Sequence, residues 1–177
     1  GLYDIDPKSI EKTKSFFAQG EYYAHADAEL AVFESVEALV ADPSVEWVMV
    51  GSWNSAHCEH VVAALNAGKH VFCEKPLATS IEDCVKMRDA WKASGKQFLI
   101  GFTLRFSPHY RKIKELLDEG IVGDIISLEF NETLDFNHGG FIHQDWRRFT
   151  KHAGSHLLEK CSHDIDLMNW MVGSRTS

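Results

Sequence analysis

Two hydrophobic periods divide the first hundred residues. Continuous apolar runs stand at 45–52 (VEWVMVGS), 69–76 (KHVFCEKP) and 97–102 (QFLIGF), each read as a strand buried on both faces. Between them, 56–68 (AHCEHVVAALNAG) has helical spacing closed by Gly68, and Ser80 with Asp83 caps a helix through about Ser94. Upstream, Leu2 and Tyr3 read as a strand end. Pro7 opens a helix to about Gln19 with Gly20 as its stop, LAVFES (30–35) reads as a short strand and SVEALVAD (35–42) as a short helix. Strands alternating with helices predict βαβ units and a Rossmann-like parallel sheet with right-handed crossovers.

The pattern then changes. Ser107 and Pro108 start a helix that ends at Gly120. DIISLEFNETL (124–134) alternates apolar and polar residues as a half-buried antiparallel strand does, and a long polar and aromatic loop follows. Residues 157–173 (LLEKCSHDIDLMNWMVG) form a last helix closing on Gly173. The α/β chain therefore divides into a partial dinucleotide-binding domain, 1–103, and the start of a substrate and oligomerisation domain with a mainly antiparallel sheet, 104–177. The boundary falls between 103 and 122.

Bulk properties narrow the partners. Among 177 residues the net charge is −8 with both signs interspersed, so nothing resembles a basic nucleic-acid surface. No apolar run is long enough to span a bilayer. Cys58, Cys73, Cys84 and Cys161 are scattered in apolar runs without a CxxC pair, which fits buried free thiols in a reducing, cytoplasmic setting. No metal is expected: His57 and His60 stand at i, i+3, without the i, i+4 spacing and third ligand of a zinc site.

In open parallel sheets, ligands sit at the carboxyl ends of strands. Three such ends here are polar: Asp4, the run Ser52–Trp53–Asn54, and Glu74–Lys75. Asp4 stands where an acid holds the ribose of NAD, but by itself the commoner reading of Asp4 and Asp6 ahead of a helix start is a helix cap. Lys75, held at a strand end by Pro76, is either a partly desolvated proton-transfer group or an ordinary turn lysine. On the last helix Glu159, His163, Asp166 and Trp170 share a face; either acid could hold the imidazole in one tautomer, or all could form a solvated surface cluster.

Residues 52–80 (SWNSAHCEHVVAALNAGKHVFCEKPLATS), with GFTLRFSP (101–108) and LLEKCSHDIDLMNW (157–170), resemble the glucose–fructose oxidoreductase / inositol dehydrogenase / rhizopine-catabolism (Gfo/Idh/MocA) family across nearly the whole chain. The resemblance implies an NAD- or NADP-dependent oxidoreductase acting on a small carbohydrate or polyol, and a homo-oligomer built through the antiparallel sheet. It implies that Lys75 assists proton transfer at the substrate hydroxyl, that His163 is the catalytic histidine, and that Glu159 stands where relatives usually carry Asp. Ser52, Trp53, Asn54, His57 and Glu74 fall with Lys75 and Asp4 among nucleotide-lining positions, and Arg105, Arg147 and Asp166 border the substrate pocket. The bond before Pro76 is expected to be cis. Two other readings stay open: a glycosidase using bound NAD for transient sugar oxidation, and a non-catalytic dinucleotide-binding protein. The G-x-G-x-x-G loop and first strand of the fold are absent, so the chain reads as an internal piece of a longer enzyme.

Overall fold

The computed structural model describes residues 1–18 and 30–173; the helix stop expected at Gln19 and Gly20 lies outside them. Helix α1 (Pro7–Ala18) and helix α2 (Val36–Ala41) precede a three-stranded parallel sheet of β1 (Trp47–Val50), β2 (His70–Cys73) and β3 (Phe98–Ile100), in the order β1-β2-β3. Val48 pairs with Val71, and Cys73 with Ile100. Helix α3 (His57–Asn66) carries the chain from β1 to β2 and α4 (Ile81–Ser94) from β2 to β3, as parallel pairing requires. The expected βαβ units are present.

The core lies where these helices meet the sheet. Val61, Ala64 and Leu65 of α3, Val71 and Cys73 of β2, and Met87 of α4 are all fully buried. Helix α3 ends because Gly68 takes φ +74°, a left-handed conformation. The Gly68 and Lys69 N–H groups then return to the Leu65 and Ala64 carbonyls, each at 3.0 Å. That turn aims β2 back along the sheet. Ser80 caps α4 by accepting from the Asp83 N–H. Of the four cysteines only Cys73 is fully buried; the others are half-buried, and all four are free thiols.

Upstream, the two strands expected at Leu2–Tyr3 and 30–35 shrink to one parallel bridge between Leu2 and Val32. The Leu2 N–H donates to the Ala31 carbonyl and the Phe33 N–H to the Leu2 carbonyl. Neither is hydrogen-bonded to β1, so the bridge has no flanking ladder to extend it.

Beyond β3, a 3₁₀ turn (Thr103–Phe106) leads into α5 (Pro108–Asp118), with Pro108 at its first turn. Residues 124–134 form no strand among the described residues, although the alternation is real. An antiparallel strand needs a ladder partner, and with none the apolar positions stay open: Ile126 is 93% exposed. The stretch expected as a loop instead folds into α6 (Phe136–Gln144), a 3₁₀ turn (Trp146–Arg148) and α7 (Thr150–Ala153). The last helix is composite: a π-turn, Leu157–Cys161, continues into α8 (Ser162–Val172), which closes on Gly173 as expected.

Candidate active site

Parallel pairing continues one residue past the strands. The Glu74 N–H donates to the Val50 carbonyl at 2.9 Å and the Gly101 N–H to the Cys73 carbonyl at 2.8 Å. Glu74 lies so close to the neighbouring chain that a Cβ on Gly101 would stand 3.1 Å from its Oε2 and 3.3 Å from its Cα. Glycine at 101 makes room for that carboxylate, which accepts from the Lys75 N–H. The Lys75–Pro76 bond is cis, as expected. These tips send Lys75 across the gap to the C-terminal half.

There it meets Glu159. The Lys75 ammonium donates to the Glu159 carbonyl at 2.6 Å and to its Oε1 at 3.3 Å. The same carboxylate accepts from Asn54 Nδ2 at 2.6 Å and from Arg147 Nε at 3.1 Å. Asn54 donates further to the Ala153 carbonyl. Glu159 is 6% exposed, and a buried carboxylate persists only when paired and hydrogen-bonded. Here it has two cations and an amide. Asp145 offsets the second cation, accepting from Arg147 Nη1 at 2.7 Å, and the guanidinium lies 4.4 Å over the Trp146 ring. Asn54, Lys75, Trp146, Arg147 and Glu159 line a small polar pocket of about 110 Å³, together with Gly51, Ser52, His57 and Glu74.

His163 stands in the first turn of α8. Its ring packs edge-on to Phe102, 6.0 Å between centroids, and its Nδ1 is buried without a hydrogen-bond partner. Burial first, and then the Lys75 and Lys160 ammonium groups, push its pKa below the usual histidine value. Near neutral pH the ring is uncharged and can accept a proton. The contact expected between Glu159 and His163 is not made. The intervening π-turn has i→i+5 geometry, which breaks the i, i+4 stacking, and the Glu159 carboxylate is already occupied by Lys75, Asn54 and Arg147. Asp166 is not on the imidazole either. It forms a two-pronged ion pair with Arg105, whose guanidinium sits 5.9 Å over Trp170.

The remaining expected positions divide. Asn54 is central. Trp53 lies at the rim, 4.1 Å from the His152 ring and 6.5 Å from Trp146. The Ser52 hydroxyl is bonded to His60 Nδ1 at 2.9 Å. His57 underlies the pocket without offering it a ring nitrogen: the ring is 1% exposed, with Nδ1 2.9 Å from the Pro76 carbonyl and Nε2 3.1 Å from the Ser52 carbonyl. Asp4 is exposed and accepts from the Asp6 N–H, as a residue preparing a helix start does. Sequence reasoning overlooked Trp146, Phe102 and Asp145; the Asp-Trp-Arg run, a cap followed by a ring and a cation, hinted at Asp145 and Trp146, and no local pattern marked Phe102. Among the described residues no three His, Cys, Asp or Glu side chains gather as metal ligands. No helix among them is long and apolar enough to cross a membrane.

The donor set fits a hydroxyl-bearing ligand beside one end of a dinucleotide. Two polar strand ends border the pocket, an ammonium projects into it, and an orphaned imidazole nitrogen lies within reach of that ammonium's charge.

Comparison with known proteins agrees. Residues 1–102 match the Gfo/Idh/MocA model described as an oxidoreductase family with an NAD-binding Rossmann fold. Residues 114–177 match that family's C-terminal α/β domain. An inositol 2-dehydrogenase from Gluconacetobacter diazotrophicus is 41% identical over 148 residues, 81% of this chain and 40% of that protein. A 2,7-anhydro-N-acetylneuraminate hydratase from Escherichia coli is 34% identical over 139 residues, 78% of this chain and 37% of its own. The crystal structure of a scyllo-inositol dehydrogenase from Lactobacillus casei with bound NAD(H) and scyllo-inositol superposes with a TM-score of 0.73 at 28% identity, covering 97% of this chain and 46% of that one. The chain thus spans about two fifths of the length of these curated relatives.

Proposed function

The chain belongs to the Gfo/Idh/MocA oxidoreductase family, and on that premise we propose that it carries the proton-handling site of a nicotinamide-dependent dehydrogenase acting on a polyol or sugar. NAD, when bound, supplies the hydride acceptor. What the protein adds is the proton. As the carbinol C–H gives up its hydride, the hydroxyl gives its proton to Nδ1 of His163, the orphaned and uncharged nitrogen. Lys75 has three N–H donors, and two of them are held by Glu159. The third is left for the reacting oxygen and steadies the charge developing there. Glu159 steers Lys75, and Asn54 and Arg147 hold Glu159. Arg105 and Asp166 border the substrate as a pair. Asp4 follows the Leu2–Val32 bridge, and its second oxygen can take a ribose hydroxyl and disfavour a 2′-phosphate.

The observation that carries this reading is the span of Lys75 from a strand tip to a buried carboxylate, with its charge acting on an imidazole whose Nδ1 has no partner. The test is Lys75→Met in the complete gene product, assayed over inositols and monosaccharides by nicotinamide absorbance. The expected outcome is a fall in kcat of about 10²–10³-fold with NADH affinity within about twofold. Near-normal turnover overturns the role of Lys75. The same assay with NADP tests Asp4, whose ribose role is overturned if NADP is preferred.

The hydratase among the relatives favours a second reading in which bound NAD is not consumed. Chemical conversion of an anhydro-sugar or glycoside without net NADH distinguishes it. We further propose that 124–134 becomes a strand of the second domain, which begins between residues 103 and 122, and that its sheet joins subunits. The open alternating face of Ile126 and Leu128 supports this. A monomer by light scattering of the complete gene product overturns the subunit contact.

A further inference from the structure

We propose that His57 is a positioning residue: donating from both ring nitrogens, it ties together the two strand-end segments that carry Asn54 and Lys75, at the spacing that Glu159 bridges. The inference rests on the reading of Lys75 as the donor to the reacting oxygen.

His57 is the first residue of α3 and is 1% exposed. Its Nδ1 stands 2.9 Å from the carbonyl of Pro76, the residue after Lys75. Its Nε2 stands 3.1 Å from the carbonyl of Ser52, two residues before Asn54. One ring thus touches the exits of both β1 and β2; both acceptors are carbonyls, so the tie takes an N–H at each ring nitrogen. Beyond β1 and β2 the ladder supplies one more bond, from the Glu74 N–H to the Val50 carbonyl. Ser52 and Pro76 lie past that bond, where nothing in the sheet fixes their separation. The imidazole supplies the missing cross-link.

Nearby polar atoms are committed elsewhere. The Ser52 hydroxyl goes to His60, and Asn54 to Ala153 and Glu159. The two carbonyls therefore look to His57, and buried carbonyls left unpaired are costly. The consequence is geometric. Asn54 and Lys75 reach Glu159 from separate segments, Asn54 Nδ2 at 2.6 Å from its Oε2 and Lys75 Nζ at 2.6 Å from its backbone carbonyl. If the two segments drift apart, one of these contacts opens and the ammonium leaves its place. A displacement of about 1 Å near reacting atoms can cost on the order of 10²-fold in rate.

The experiment uses three variants of the complete gene product. His57→Asn places an amide donor near Nδ1, toward Pro76. His57→Gln places one near Nε2, toward Ser52. His57→Leu keeps bulk and donates nothing. The expected order of kcat is wild type, then Asn, then Gln and Leu, because the Pro76 bond lies nearest Lys75. The Leu variant should fall about 10–10²-fold, with KM for the polyol and affinity for NADH within about threefold. Equal kcat in all folded variants at a temperature where each is intact overturns the proposal, because a purely structural histidine would move only the melting temperature.

Crystal structures of the variants decide the point without activity. Lys75 Nζ should leave the Glu159 carbonyl in the Leu variant and stay on it in the Asn variant; an unmoved Lys75 in the Leu variant overturns the proposal. If wild type turns over no polyol, the dehydrogenase reading fails while these coordinates still judge the clamp. Should no variant fold, ¹⁵N spectra of the histidines in the unmutated protein replace them. Slow exchange of an N–H at both His57 ring nitrogens supports the tie; a proton on one nitrogen only, or rapid exchange, overturns it.

Discussion

Residues 45–101 and residues 145–173 both deliver side chains to the same pocket, by different means. In the first stretch, Lys75 and Glu74 ride on a strand whose neighbours are fixed by backbone ladders and by a core of Val61, Leu65, Val71 and Met87. In the second, Glu159 sits on a π-turn, Arg147 on a three-residue 3₁₀ turn, and few apolar side chains are fully buried around them. Apolar packing sets the geometry on one side; charge pairing and amide bonds set it on the other. Mutations should therefore act differently in the two regions.

The largest expected effect is in the packed region. Leu65 is 1% exposed, and Leu65→Ala in the complete gene product should cost about 2–5 kcal/mol, read from urea midpoints. Leu157, in the π-turn, is 69% exposed, and Leu157→Ala should stay within about 0.5 kcal/mol. Comparable losses at the two positions would erase the contrast.

Next comes the charged hub. Glu159→Gln keeps the shape but leaves Lys75 and Arg147 without their shared carboxylate. Removing one partner of a fully buried pair costs more than the pair contributes. Here the Lys75 and Arg147 side chains are 18% and 25% exposed, and solvent screens part of the loss. A destabilisation of about 1–3 kcal/mol is expected. Glu159→Asp retains the charge with a shorter reach and should fall between. A neutral Glu159→Gln would mean that packing holds this region too.

A smaller effect tests whether local signals suffice in the first region. The Ser80 hydroxyl accepts from the Asp83 N–H at 3.2 Å. Ser80→Ala should cost about 1 kcal/mol by thermal melting, and no loss at all would show that tertiary packing alone sets the start of α4.

That difference in materials also decided what could be read from the sequence. The strands at 47–50, 70–73 and 98–100 and the helices between them follow from local period, Gly68 and Ser80, because each element meets its sequence neighbour. The polar strand tips followed from the same logic. The bonds that make them a site did not. Asn54 meets Glu159 across 105 residues and Lys75 meets it across 84, and no local pattern specifies such partners. Helical spacing alone placed Glu159 on His163. The π-turn is invisible to a 3.6-residue period, and it sends that carboxylate elsewhere. The alternation at 124–134 was legible, but alternation specifies a face and cannot supply a partner strand.

The smallest effect concerns His163, where the two regions meet. Its pKa is held below 6.5, first by burial and then by Lys75 and Lys160. Between the native pKa and 6.5 the unfolded chain therefore binds more protons than the folded one. Stability contributed by the uncharged ring is complete above about pH 6.5 and is lost as pH falls through the lower native pKa. His60 is depressed too, mainly by burial, so part of the slope belongs to the packed region. His163→Gln should flatten the remainder. Urea midpoints measured between about pH 8 and pH 5 should fall less steeply in the variant than in wild type. His60→Gln, made separately, should remove a second share, and the two should add because no bond links the rings. Identical slopes in wild type and His163→Gln would mean that the imidazole is no more burdened by its surroundings than a solvated one, and the case for it as the uncharged proton acceptor beside Lys75 would fall with that result.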